Sequence, residues 1–131
     1  MRLTIAVLLC FCAYLANAQS WLEDYNESVS LYNEASLEQS RESAKKALVA
    51  YSESHPNPDE NRAAILRQLV LIESELGNSP AALSYAVEEV ELLRQLEKAD
   101  DMYFANALNN VGVLSNIIGK YNAAAIALEE R

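Results

Sequence analysis

Carboxylates, one histidine and a row of asparagines are the residues of this chain whose types and spacing could carry chemistry. Glu73 with Glu75, and Glu88 and Glu89 with Glu91, give the close carboxylate pairs that general acid–base catalysis uses. No histidine or activated nucleophile accompanies them, and at these spacings they read as a solvated helix face. His55 is the single histidine; beside Pro56 it reads as a loop residue rather than a base or a ligand. Cys10 and Cys12 both fall in an apolar N-terminal run, so a His/Cys metal site cannot be composed. A glycine-rich phosphate loop, a nucleophile elbow and a zinc motif are all missing. Neither a catalytic constellation nor a metal or cofactor is therefore expected. Asn106, Asn109, Asn110 and Asn116 share roughly one side of a helix. Asparagine is a poor helix former. Its amide both donates and accepts, so such a row could pin the backbone of an extended peptide or stand as plain solvated polarity.

The elements that would position these residues are helices throughout. The chain opens with Met1-Arg2, an apolar run from Leu3 to Leu15 and Ala16-Asn17-Ala18, the layout of a cleavable secretory signal cut between Ala18 and Gln19. The run is too short to span a bilayer, so no membrane insertion is expected after cleavage. The expected product is exported, to the periplasm or beyond, and residues 19–131 form one modest helical domain. Without the signal it has no cysteine, and its stability must come from packing. The whole chain has 10 basic against 19 acidic residues, a net of −9; losing Arg2 makes that 9 against 19, a net of −10. That balance argues against nucleic acid and against anionic lipid.

Trp21, Leu22, Tyr25, Val29 and Tyr32 mark a first amphipathic helix. Ser36-x-x-Gln39 resembles a capping box that starts a second near Leu37. Asn57 before Pro58 reads as the cap of a third, which runs to about Leu76. Gly77-Asn78 ends it, and Ser79-Pro80 opens a fourth that continues to about Glu97. Asp100 caps a fifth as far as Ile118. Gly119 then ends that helix, and a sixth starts near Tyr121.

The breaks fall at a fixed period. Residues 61–89 align without a gap on residues 103–131, with Ala63/Ala105, Leu66/Leu108, Gly77/Gly119, Ala81/Ala123, Ala82/Ala124 and Glu88/Glu130 identical, 42 residues apart. Leu69 stands opposite Val111, Val70 replaces Gly112, and Ser40 and Ala44 continue the pattern one period earlier. Periods of this size mark stacked supersecondary units. The segment Ala107-Leu108-Asn109-Asn110-Val111-Gly112-Val113-Leu114, followed by Gly119-Lys120-Tyr121-Asn122-Ala123-Ala124, resembles the long-period tetratricopeptide (TPR) repeat. The resemblance implies an all-α fold: antiparallel helix pairs over residues 20–56, 57–99 and 100–131, stacked as a right-handed α-solenoid whose last repeat is truncated.

By the same resemblance, Leu66, Leu69, Gly77, Ala82, Leu108, Gly112, Gly119, Tyr121 and Ala124 are the repeat-packing positions. Arg67, Leu71, Ser74, Asn106, Asn109, Asn110, Val113 and Asn116 line a concave groove for a peptide or protein segment, where asparagines of similar repeats clamp a peptide backbone. Ala64 and Glu75 stand beside them. The family also implies an alternative, the sensory or scaffolding front of a larger enzyme such as a CHAT-type peptidase or a histidine kinase. Self-association through the unfinished repeat is a further implication.

Overall fold

A computed structural model of the chain describes residues 20–98 and 100–129, and all regular structure among them is helical. The signal segment expected over residues 1–18 lies outside the described residues. The helices are α1 over residues 20–33, α2 Leu37–Ser54, α3 Glu60–Glu75, α4 Ser79–Gln95 and α5 Met102–Glu129. None is long and apolar enough to cross a membrane. The chain divides into two compact units, Met1–Ile65 and Leu66–Arg131.

In the first unit, α1 and α2 cross where two serines meet. Ser28 Oγ donates to the Ser40 carbonyl at 2.9 Å, Ser40 Oγ donates to the Ser28 carbonyl at 2.7 Å, and the hydroxyls lie 3.1 Å apart. Both serines are fully buried. Small side chains let the helix backbones approach, and the reciprocal bonds satisfy the polar groups that the approach buries. Nearby, Tyr51 is buried under Trp21, edge-on at 4.8 Å, and stacks on His55 at 4.2 Å. The histidine therefore closes α2 as a packed ring, with Nδ1 2.8 Å from Ser54 Oγ.

The second unit has buried residues at the corresponding places one period later. Val70 stands 42 residues after Ser28 and Ala82 42 after Ser40, and the two share a buried cluster with Ala86 and Leu114. Leu83, Tyr85 and Val111 pack against that cluster. The turns repeat as well. Ala35 (φ 62°) and Gly77 (φ 75°) each take the left-handed conformation. Each is braced by the same two bonds: Ala35 N→Tyr32 O with Ser36 N→Leu31 O, and Gly77 N→Ser74 O with Asn78 N→Glu73 O. This is the Schellman closure of a helix C-terminus. Glu97 (φ 59°) ends α4 in the same way.

Several helix ends depart from the sequence reading. The Ser36/Gln39 capping box does not form, because Ser36 makes no side-chain cap bond. The cap of α3 is Asp59 rather than Asn57: its Oδ1 accepts the amides of Asn61 and Arg62 at 2.9 and 3.4 Å, and also the hydroxyl of Tyr51. Asp101 rather than Asp100 caps α5, accepting the Tyr103 amide at 3.1 Å.

The largest departure is at Gly119. The expected break is not there, and α5 runs through it as one helix of 28 residues. Gly77 is followed by Asn78 at the cap and Pro80 in the first turn, which stop one helix and start the next. Gly119 is followed by Lys120-Tyr121-Asn122 and three alanines, with no proline to end the helix. A helical glycine costs only about 1 kcal/mol against alanine, too little to break such a run.

The left-handed turns give a direct test. A non-glycine residue in that conformation costs roughly 1–2 kcal/mol, part of which glycine returns as greater freedom in the unfolded chain. Ala35→Gly should therefore raise stability by about 0.5–1 kcal/mol, read as a higher urea midpoint with an unchanged slope. Gly77→Ala should lower it by a similar amount.

Candidate binding surface

Three helices of the second unit converge on Arg67. From α3, its Nε donates to Glu89 Oε1 of α4 at 2.8 Å. Its guanidinium also lies over the ring of Tyr103 at the start of α5, 4.0 Å from the centroid. Glu89 is 1% exposed. Burial pushes its carboxyl above the usual carboxylate range, and the charge and hydrogen bond of Arg67 oppose that rise. Its second oxygen, Oε2, is buried without a hydrogen bond. A buried carboxylate with one partner is held by that partner alone, so Arg67 locks α3 to α4 while Tyr103 covers its planar face.

Glu89 corrects the sequence reading, which placed it on a solvated face with Glu88 and Glu91. Glu73 is likewise buried, whereas Glu75, Glu88 and Glu91 are exposed. The sequence carries a faint signal for Glu89: it falls three residues after Ala86 and one before Val90, inside the buried stripe of α4. Tyr103 was missed because its contact with Arg67 spans 36 residues and leaves no local pattern.

The other groove candidates fall on the outward sides of α3 and α5. Leu71 is 44% and Val113 49% exposed, while Ser74, Asn106, Asn109 and Asn116 are exposed and Asn110 half-buried. Ala64 is half-buried in the first unit. Arg67 is the member whose position is fixed by contacts, and it is already engaged. This arrangement offers amide donors and acceptors together with exposed apolar side chains.

The packing candidates split at α5. Leu66, Leu69 and Ala82 are buried, and Gly77 makes its turn. Leu108, one period after buried Leu66, is 43% exposed; Gly112, Gly119 and Ala124 are exposed, and Tyr121 is 72% exposed. These residues lie on α5, which runs on through Gly119 rather than turning back on itself.

No group of three His, Cys, Asp or Glu among the described residues is placed to hold a metal. A shallow pocket of about 330 Å³ lies along α2, lined by Glu42, Lys45, Lys46, Val49, Ala50 and Glu53. Its charged residues sit at helical spacing along that one helix.

Arg67→Met should destabilise the chain by about 2–3 kcal/mol at neutral pH, at or below the low end for breaking a buried pair because Arg67 is partly exposed. The pH dependence follows from linkage. A carboxyl whose folded pKa is raised contributes stability below its unfolded value and loses it as pH rises through the folded value. Removing Arg67 raises the Glu89 value further. The deficit of the variant should therefore be small near pH 4 and grow toward pH 7, as chemical denaturation at both pH values would show. Comparison of the chain with family models, with curated proteins and with solved structures gives no match.

Proposed function

We propose that this chain is a peptide- or protein-binding module whose helix pairs stack as a TPR-like α-solenoid. The observation that carries the reading is the outward row of α3 and α5 in the second unit. There Leu71 of α3 remains exposed, as do Val113, Asn106, Asn109 and Asn116 of α5, and the Arg67–Tyr103 contact joins the two helices. Exposed apolar side chains flanked by amides suit an extended segment: the amides take its backbone, and the apolar groups take alternate side chains. The solenoid reading is supported by the crossing that recurs at Ser28/Ser40 and Val70/Ala82, and by the paired turns at Ala35 and Gly77. Repeats of this kind bind through an extended face rather than through a pocket. An exported location remains part of the proposal, and no catalytic role is assigned to the chain.

A displayed library of random linear peptides, panned on the full chain, tests this. Peptides enriched on the wild type should bind Asn109→Ala/Asn116→Ala at least about tenfold more weakly, with helicity and Tm unchanged. Peptides held equally well by the variant, or no enrichment at all, would contradict the reading.

A further inference from the structure

Asn26-Glu27-Ser28 places an asparagine, a residue other than proline and a serine in the order that N-linked glycosylation of exported chains requires. No other asparagine of the sequence stands in that setting. Asn33-Glu34-Ala35 comes closest, in the same helix, and lacks the hydroxyl. Successive residues of α1 step about 100° around its axis, so Asn26 and Ser28 sit about 160° apart, on nearly opposite sides. Ser28 is fully buried, its hydroxyl donating to the Ser40 carbonyl at 2.9 Å. Asn26 is exposed, and so are its neighbours on that side, Leu22, Glu23 and Ser30. The corresponding residue of the second unit, Gln68, is buried, so this outward amide belongs to the first unit.

We propose that Asn26 carries an N-linked oligosaccharide, attached during export and before α1 packs on α2. The proposal rests on the export reading and is independent of the binding row. The co-reactant is an oligosaccharide joined to a membrane lipid through pyrophosphate, and a membrane transferase catalyses the step. The Asn26 side-chain nitrogen bonds to the anomeric carbon of the sugar and gives up one proton. The bond from that carbon to the pyrophosphate oxygen breaks, and the lipid pyrophosphate leaves with the electron pair. The structure fixes when this can happen. The acceptor pattern needs the hydroxyl two residues after the asparagine, and in the folded chain that hydroxyl is closed inside the α1–α2 crossing. Once the chain has folded, the two residues have separate tasks. Ser28 holds the helix pair together, and Asn26 holds the sugar in solvent, where it displaces no packed side chain.

The full chain is produced in cultured mammalian cells in two forms, behind its own residues 1–18 and behind an additional, established secretory signal. Intact mass and peptide mapping are read on the secreted and retained fractions, before and after an amidase that releases N-linked sugar and leaves an aspartate. With the added signal, the expected product carries a single oligosaccharide at Asn26, absent from Asn26→Gln, with the same helicity in both. A secreted product without sugar, or with a sugar that survives Asn26→Gln, would overturn the site whatever its own signal does. With its own residues 1–18 the same glycosylated product is expected. A retained, unmodified chain there would sink the export reading instead, and with it the modification of the natural chain. The order of events is read separately, by offering transferase and lipid-linked donor to the folded, unglycosylated chain and to a free peptide of residues 20–33. The peptide should be modified and the folded chain not; efficient transfer to the folded chain would contradict attachment before packing.

Discussion

The structure depends on how closely two helices can cross at one point in each pair. In the first unit the crossing is a pair of buried serines whose hydroxyls answer each other's carbonyls. In the second it is Val70 and Ala82 in an apolar cluster. The chemistry differs and the spacing along the chain does not. Twelve residues separate the partners, and a left-handed residue sits seven after the first partner, at Ala35 and at Gly77. A large side chain at either partner would force the helices apart and cost on the order of 1–3 kcal/mol. Position and size are therefore under constraint here, more than residue identity.

That distinction explains what the sequence made legible. The helices, the two-proline break and the Gly77 turn could be read from periodicity and from residues with fixed backbone preferences. Residues before position 36 showed only helical pattern, because Ser28 shares no identity with Val70 or Gly112, although each stands 42 residues from the next. Ala35 hid its turn in the same way, since alanine gives no left-handed signal. At Gly119 the opposite error arose. A glycine in the right register suggested a turn, yet without a following cap and proline the helix runs on.

The candidate surface was legible in part. Asn106, Asn109, Asn116, Leu71 and Val113 could be placed on helix faces from spacing, and they are exposed. Arg67 was a candidate, but its engagement was not foreseeable, because Glu89 lies 22 residues away and glutamates are rarely buried. The ion pair gives α3, α4 and α5 of the second unit a common anchor beside the proposed binding row. A carboxylate with one buried oxygen left unpaired makes that anchor intolerant of losing its arginine.

If the crossings of the two units are equivalent, one pair can be transplanted into the place of the other. Ser28→Val/Ser40→Ala carries the second unit's pair into the first. Removing both hydroxyls together leaves no orphaned side-chain partner, so the exchange can be nearly neutral. A cooperative urea transition within about 1 kcal/mol of wild type and an unchanged helical signal are expected, the range for replacing both partners of a hydrogen bond together. Loss of helicity, or a transition that splits or broadens, would show that the two crossings are not equivalent.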